Sequence, residues 1–231
     1  MTIERSATDR QDTRNFAHSR AYDLACAAPL ILVYGFACGG NVLLMLQQAP
    51  GAHDLKAMAA IANAIATLVF FALQIVLCLI RRLPVGKSDG FWPRATALLG
   101  SNFNFALLLL PRVALSEGWA VFAAALTVAG TFAAAVVLAY LGRSFSILPE
   151  ARKLVAAGPY RIIRHPLYLA EFVSTLGIML QFRQPWAAGI ALVTIVLQLR
   201  RMEFEEDVLR QNFPGYGEYQ QLTARLIPGL Y

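Results

Sequence analysis

The sequence Gly-Pro-Tyr-Arg-Ile-Ile-Arg-His-Pro-Leu-Tyr at residues 158–168 places three basic side chains between two apolar parts of the chain. Because a proline disfavours helical backbone angles in the residue before it, Pro166 keeps His165 out of a helix. Proline also suits the first turn of a helix, so a helix is predicted to begin near Leu167. Arg164 and His165 would then lie at its amino-terminal end, where free backbone N–H groups attract anions.

The composition is typical of an integral membrane protein. The chain has 231 residues, of which 58% are hydrophobic and 15% are charged, and its mean hydropathy is +0.54. Soluble domains contain roughly 45–50% apolar and about 25% charged residues. The net charge of +6 arises from short Lys and Arg clusters between apolar runs. That pattern indicates membrane topology and contact with anionic lipid headgroups, and we expect no nucleic-acid partner.

The apolar runs predict an all-α, multi-spanning fold with about six membrane helices. A crossing helix needs about 20 mostly apolar residues, and four runs reach that length: 24–46, 57–80, 95–115 and 119–141. Two shorter runs, 167–182 and 186–199, are separated only by residues 183–185 and are predicted to form a helical hairpin. The expected organisation is a polar basic tail at 1–23, four transmembrane helices within 24–141, and a more polar region at 142–231 that contains the hairpin and a carboxy-terminal helix and is expected to bind the ligand.

The positions of the basic residues predict the orientation. With six crossings, the basic clusters at 81–94, 143–164 and after residue 199 all fall on the same side of the membrane as the basic tail. Cytoplasmic loops carry an excess of Lys and Arg. We therefore expect both termini in the cytoplasm.

A second polar group follows the hairpin and contains Arg201, Glu205 and Glu206. Arg201 and Glu205 are four residues apart and share one helix face. A short antiparallel hairpin would return them to the side of the membrane where Arg164 and His165 lie, and cations and carboxylates together would suit a zwitterionic cofactor. Two simpler interpretations stay open: ordinary inside-facing basic residues, and a solvated amphipathic helix that leaves the bilayer.

Several other residues of the apolar runs have a predicted structural environment. Glu171 is a carboxylate within an apolar run, so it is expected to face the bundle interior or a watery cavity. Gly35-x-x-x-Gly39, followed by Gly40, would let another helix approach closely, within the chain or in a homodimer. Polar side chains within or near the apolar runs are expected to bond across helices: Asn41, Asn63, Gln74, Asn102 and Asn104. No spacing of His or Cys residues suggests a metal site.

One set of motifs resembles a known family. It consists of Leu154-Val155-x-x-Gly158-Pro159-Tyr160-Arg161-x-x-Arg164-His165-Pro166-x-Tyr168, then a hairpin, then Glu205-Glu206-x-x-Leu209, Phe213, Tyr216, Tyr219 and Ile227-Pro228-Gly229-Leu230. These residues resemble the isoprenylcysteine carboxyl methyltransferase family, within the wider group of membrane methyltransferases that includes the phospholipid methyltransferases. The resemblance covers roughly residues 138–231. Ala170 stands where the family often has Gly, and the tail at 213–216 is one residue shorter than usual.

The resemblance implies methyl transfer from S-adenosylmethionine to a lipophilic acceptor, with a cofactor pocket on the cytoplasmic side. The residues that it places around the cofactor are Tyr160, Arg164, His165, Pro166, Tyr168, Leu169, Glu205 and Glu206. Arg201 and Glu205 would lie beside the reacting group and act in catalysis. The acceptor stays open: a prenylated cysteine carboxylate, a phospholipid amine or another isoprenoid. The alternatives to a methyltransferase are an NADPH-dependent reductase of the sterol-reductase type and a lipid-binding membrane protein without enzymatic activity.

Overall fold

The computed structural model describes residues 20–48 and 55–229, and about 75% of these are helical. The expected basic tail lies outside the described residues except for residues 20–23, which already belong to the first described helix. The helices are α1 (Arg20–Gln48), α2 (Leu55–Ile80), α3 (Phe91–Asn102), α4 (Glu117–Leu141), α5 (Pro166–Met179), α6 (Trp186–Asn212) and α7 (Tyr216–Leu222). The prediction of a helical fold is confirmed.

Three of these helices are long and apolar enough to cross a membrane. They are α1, α2 and α4, and they correspond to the first, second and fourth predicted spans. Helix α5 is apolar but shorter. Many large apolar side chains of α1, α2 and α4 are exposed, as expected for helices in contact with lipid. The chain therefore has the features of a membrane protein.

The third predicted span, 95–115, is not one continuous helix. Helix α3 ends at Asn102, a 3₁₀ helix follows over Phe103–Leu109, and Leu110 is extended. The Asn104 side chain bonds outside its own helix, donating from Nδ2 to Thr175 Oγ1 at 2.7 Å and accepting from Thr194 Oγ1 at 3.1 Å. Pro111 then removes a backbone donor, so a helix is disfavoured beyond this point.

Helix α5 begins as the sequence predicts, because His165 has φ −124° and ψ 56° and Pro166 is the first helical residue. Its most extensive packing is against α4, whereas its contact with α6, the other half of the predicted hairpin, is smaller. Gly130 and Gly177 make the close approach of α4 and α5 possible. A Cβ atom at Gly130 would lie 2.4 Å from the Ser174 nitrogen, and one at Gly177 would lie 2.5 Å from the Thr127 nitrogen.

Gly35, Gly39 and Gly40, which were predicted to lie in a helix contact, face open space instead. A Cβ atom at Gly35, Gly39 or Gly40 would meet no atom within 4 Å. The expectation that these glycines pack against another helix of the same chain is therefore wrong for the described residues. Pairing with a second copy stays a prediction.

The polar amides were expected to bond across helices, and only Asn104 does so clearly. Asn41 and Asn102 donate to carbonyl oxygens one turn earlier in their own helices, Ala37 and Leu98. The oxygens of Asn63 and Gln74 are buried without a hydrogen-bond partner in the described part of the chain. An Asn side chain in an apolar helix can thus bond to a backbone carbonyl of its own helix, so its presence does not predict a contact between helices.

Short connections join the helices at two opposite ends. At one end, strand β1 (Gly86–Lys87) pairs antiparallel with β2 (Glu150–Ala151). The ends of α2 and α4 and the start of α5 lie there. At the other end, Arg112 forms a bridge with Phe182, so the chain after the 3₁₀ helix meets the end of α5.

Candidate functional site

A cavity lies where the start of α5, the second half of α6, helix α7 and the segment after α4 converge. Its volume is about 100 Å³ and it opens to solvent, so it is smaller than the range of about 300–1,000 Å³ typical of small-molecule sites. The predicted site residues that line it are Tyr160, Arg164, His165, Tyr168, Arg201 and Glu205. The residues that the sequence placed around one cofactor therefore come largely together.

Arg201, Tyr168 and Glu205 form one wall of the cavity. The Tyr168 hydroxyl donates to Glu205 Oε1 at 2.6 Å, and Arg201 Nε forms an ion pair with the same oxygen at 3.0 Å. The Arg201 guanidinium also lies over the Tyr168 ring, 5.1 Å from its centre. Arg201 is held from behind, because its Nη1 donates to Ser101 Oγ at 2.7 Å and its Nη2 to the Ser146 carbonyl at 3.3 Å. The three side chains of the wall are thus held by one another, and Arg201 also by Ser101 and Ser146.

Glu206 has different partners from its neighbour Glu205. Its Oε1 accepts from Arg164 Nε at 3.0 Å and from His165 Nε2 at 2.9 Å, and it forms an ion pair with Arg225 Nε at 3.3 Å. Burial by itself would raise the pKa of Glu206, but the hydrogen bonds from His165 and Arg164 and the charge of Arg225 lower it to about 2. Glu206 thus stays ionised and binds three basic groups of its own chain.

The carboxy-terminal segment closes one side of the cavity. The backbone N–H groups of Arg164 and His165 donate to the carbonyls of Ala224 and Arg225, at 2.9 and 3.1 Å. The Tyr219 hydroxyl donates to the Tyr160 carbonyl at 2.7 Å. Burial raises the pKa of Tyr219 to about 12, so this hydroxyl keeps its proton at neutral pH. Tyr219 therefore remains a contact of the cavity despite the shortened tail.

A known protein family matches the part of the chain that contributes most of the residues lining the cavity. Residues 111–215 match the model of the phospholipid methyltransferase family. The resemblance to membrane methyltransferases is confirmed. The match begins before α4, and it includes every predicted site residue.

Two curated proteins are similar to the chain. One is protein-S-isoprenylcysteine O-methyltransferase B of Arabidopsis thaliana, 35% identical over 95 residues, or 38% of this chain and 48% of that protein. The other is the nickel-cobalt-cadmium resistance protein NccN of Alcaligenes xylosoxydans xylosoxydans, 31% identical over 100 residues, or 41% of this chain and 47% of that protein. The matches span about half the length of these relatives. The plant protein is named for a methyl transfer, which agrees with the family match.

Three predicted cofactor residues do not line the cavity. Glu206 faces the basic groups described above, and Pro166 is buried at the start of α5. Leu169 packs in an apolar cluster with Met202 and Leu226, behind the wall formed by Tyr168. These three residues contact other parts of the protein. Their positions therefore indicate that they support the residues that line the cavity.

An ion cluster beside the cavity was not found from the sequence. Arg152 Nη2 pairs with Asp23 Oδ1 at 2.7 Å and with Glu150 Oε2 at 2.6 Å, and Arg81 Nε pairs with Asp23 Oδ2 at 2.8 Å. Both Glu150 and Arg152 line the cavity. The sequence does show a carboxylate, Asp23, at the start of an apolar helix, and this could have indicated a buried ion pair. Nothing in the sequence, however, identifies its partner Arg152, which lies 129 positions later.

Proposed function

We propose that the protein is an integral membrane methyltransferase that uses S-adenosylmethionine and acts on a lipophilic acceptor. The observation that carries the proposal is the wall of Tyr168, Arg201 and Glu205, which faces the same cavity as Arg164 and His165. The cavity lies at one end of apolar helices, where a water-soluble donor and a lipid can both arrive. The family match supports this reaction class.

The polar atoms left over in the cavity suit the proposed cofactor. Glu205 Oε1 is occupied, whereas its Oε2 has no partner among the described residues and can accept from an ammonium or ribose hydroxyl group. The Tyr216 hydroxyl is buried beside the cavity without a partner in the described chain. Arg164 uses Nε and Nη1 within the protein, which leaves Nη2 for a carboxylate. Donors and acceptors of this kind match a zwitterionic ligand.

Alignment and electrostatics are the main contributions that the protein makes to such a reaction. When bound, S-adenosylmethionine supplies a methyl group on a positively charged sulfur. In this proposal Glu205 holds the cofactor and Arg201 orients the acceptor beside it. Arg201 suits that role because Ser101 and the Ser146 carbonyl fix its guanidinium group.

The proposal includes six crossings with both termini in the cytoplasm. Helix α3 has 12 residues and the following 3₁₀ helix has 7, which together extend about 32 Å and match a hydrocarbon core of about 30 Å. Helix α5 with its 14 residues extends only about 21 Å, so a locally thinned bilayer or flanking polar residues would complete its crossing. Reporter fusions at residues 84, 115 and 229 test this arrangement, with activity on the cytoplasmic side expected at 84 and 229 only.

Calorimetry on the purified protein tests the proposed cofactor directly. Wild type is expected to bind S-adenosylmethionine and not NADPH. Glu205→Gln is expected to weaken binding roughly tenfold or more, since a hydrogen bond to a charged group contributes about 1.5–3 kcal/mol. Glu203→Gln is the matched control, because this carboxylate on the same helix is exposed and pairs with Arg200. Absence of binding by wild type, or equal affinities in both variants, would contradict the proposal.

A further inference from the structure

A second cavity lies at the end of the apolar helices opposite the candidate functional site. It is enclosed by the end of α1, the starts of α2 and α4, and the segment between the 3₁₀ helix and α4. Its volume is about 320 Å³, which lies within the range of about 300–1,000 Å³ typical of small-molecule sites. The two cavities share no lining residue. The second cavity is therefore a separate candidate binding site.

The charge of the second cavity comes from Arg112. Among the described residues that line it there is no Asp or Glu, and Arg112 forms no ion pair in the described part of the chain. Backbone hydrogen bonds fix the segment around Arg112. The Val113 N–H donates to the Gln181 carbonyl at 3.1 Å, and the Arg183 N–H donates to the Pro111 carbonyl at the same distance. A guanidinium group without a carboxylate partner, on a fixed backbone, favours an anionic ligand.

The amide side chains that line the second cavity also have unused polar atoms. Asn63 forms no side-chain hydrogen bond among the described residues, and its Oδ1 is buried. Asn41 Nδ2 donates to the carbonyl of Ala37 at 2.9 Å, and Gln181 Nε2 donates within its own turn at 3.2 Å, so each amide keeps its oxygen for a ligand. Native proteins keep few polar groups without a partner in an apolar environment. A ligand in this cavity would supply the missing partners.

The remaining lining of the second cavity is apolar. Apart from Arg112 and the three amides, it consists of alanine, leucine and valine residues. Leu44 lines the cavity and is also 39% exposed on α1, so the cavity borders the outer surface of that apolar helix. A small inorganic anion would leave these walls uncovered. The lining therefore favours a ligand that is anionic at one end and apolar over the rest of its length.

We propose that the second cavity binds the headgroup of an anionic phospholipid from the leaflet opposite the functional site. The phosphate accepts hydrogen bonds from Arg112 and from Asn63 Nδ2, and headgroup hydroxyls donate to the oxygens of Asn41 and Gln181. The acyl chains lie along the exposed side of α1 at Leu44. A zwitterionic lipid fits less well, because no carboxylate of the described lining balances its cationic group. This lipid is bound but not methylated, so the inference is independent of the proposed function.

The first test compares an anionic with a zwitterionic phospholipid. Native mass spectrometry of the purified protein measures binding of phosphatidylglycerol and phosphatidylcholine. Wild type is expected to prefer phosphatidylglycerol roughly tenfold or more, and Arg112→Gln is expected to lose most of this preference, since a hydrogen bond to a charged group is removed. Arg183→Gln is the matched control, because Arg183 is exposed at the same end but does not line the cavity. The same preference in Arg112→Gln as in wild type overturns the inference.

Competition with inorganic phosphate separates a lipid from a soluble anion. At constant ionic strength, inorganic phosphate is expected not to displace phosphatidylglycerol, because it cannot cover the apolar walls. Displacement at equal concentration would identify a soluble phosphate as the ligand and would overturn the assignment to a lipid.

Thermal unfolding in detergent gives a readout that a purely structural role would not produce. A ligand that binds only the folded state stabilises it, so phosphatidylglycerol is expected to raise the unfolding temperature of wild type and Arg183→Gln but not of Arg112→Gln. Asn63→Leu removes an amide that has no partner in the described chain. This variant is expected to bind phosphatidylglycerol more weakly while the lipid-free protein unfolds at no lower a temperature. Unchanged lipid binding together with a lower unfolding temperature would show that Asn63 supports the fold and would contradict the inference.

Discussion

Glu205 and Glu206 are adjacent in the chain, yet their carboxylates serve different parts of the protein. Glu205 binds Tyr168 and Arg201 on the cavity wall. Glu206, turned by the helical rotation of about 100° per residue, binds Arg164, His165 and Arg225 at the junction with the carboxy-terminal segment. One residue thus faces a candidate ligand and the other holds the fold around it, and substitutions at the two positions should separate binding from stability.

Glu206→Gln should destabilise the protein strongly. The change removes the negative charge that three basic groups share in a buried environment, and breaking a buried ion pair costs about 3–5 kcal/mol. Thermal unfolding in detergent, followed by tryptophan fluorescence, measures the loss. Asp207→Asn is the matched control, because Asp207 is the next residue and its pair with Arg210 is exposed. Equal unfolding temperatures in the two variants would show that the Glu206 junction contributes little.

The contribution of Glu206 should also depend on pH in a definite direction. Its pKa in the folded protein is lowered from an ordinary value of 4.5 to about 2. A group with a lowered pKa stabilises the folded state fully above its unfolded pKa, and the stabilisation is lost as the pH falls towards the folded value. The difference in unfolding temperature between wild type and Glu206→Gln should therefore be constant from pH 7 to about 5 and shrink between about pH 4.5 and 2. A difference that stays unchanged down to pH 3 would contradict the assignment.

Gly130→Ala and Gly177→Ala should each weaken the packing of α4 on α5. The added Cβ would lie 2.4 Å from the backbone of Ser174 in one case and 2.5 Å from that of Thr127 in the other, so a helix must shift. Overpacking of this kind costs about 1–3 kcal/mol. Gly39→Ala is the control, since its Cβ would meet no atom within 4 Å and alanine favours a helix over glycine by about 1 kcal/mol. The ordering of unfolding temperatures checks the prediction, which fails if Gly39→Ala is the most destabilised.

Asp23→Asn should disturb the cavity from a distance. Asp23 neutralises Arg81 and Arg152 in a buried cluster, and Arg152 lines the cavity. Loss of this charge should cost about 3–5 kcal/mol of stability and weaken cofactor binding, because Arg152 loses one of its two carboxylate partners. Calorimetry and thermal unfolding measure both effects. If the variant loses stability while its affinity for S-adenosylmethionine equals that of wild type, Asp23 supports only the fold.

Local sequence predicts the start of α5 and the Arg201–Glu205 pair because both depend on neighbouring residues. Pro166 restricts His165 directly, and a spacing of four places two side chains on one helix face. The resemblance named Tyr216 and Tyr219, and both line the cavity. The resemblance also placed Leu169 and Glu206 beside the cofactor, but neither lines the cavity, because helical rotation turns them away from it by an amount that the motif does not specify.

The sequence by itself determined that the chain is largely helical, with segments apolar enough to cross a membrane, and that it resembles the membrane methyltransferases, since apolar length and short motifs are properties of continuous segments. Only the tertiary structure decided that the third apolar run breaks after Asn102, that α5 packs chiefly on α4, and that Asp23 pairs with Arg152. Each of these depends on residues far apart in the chain. Their energies come from close backbone approach and from buried charges, which arise only after the helices have packed.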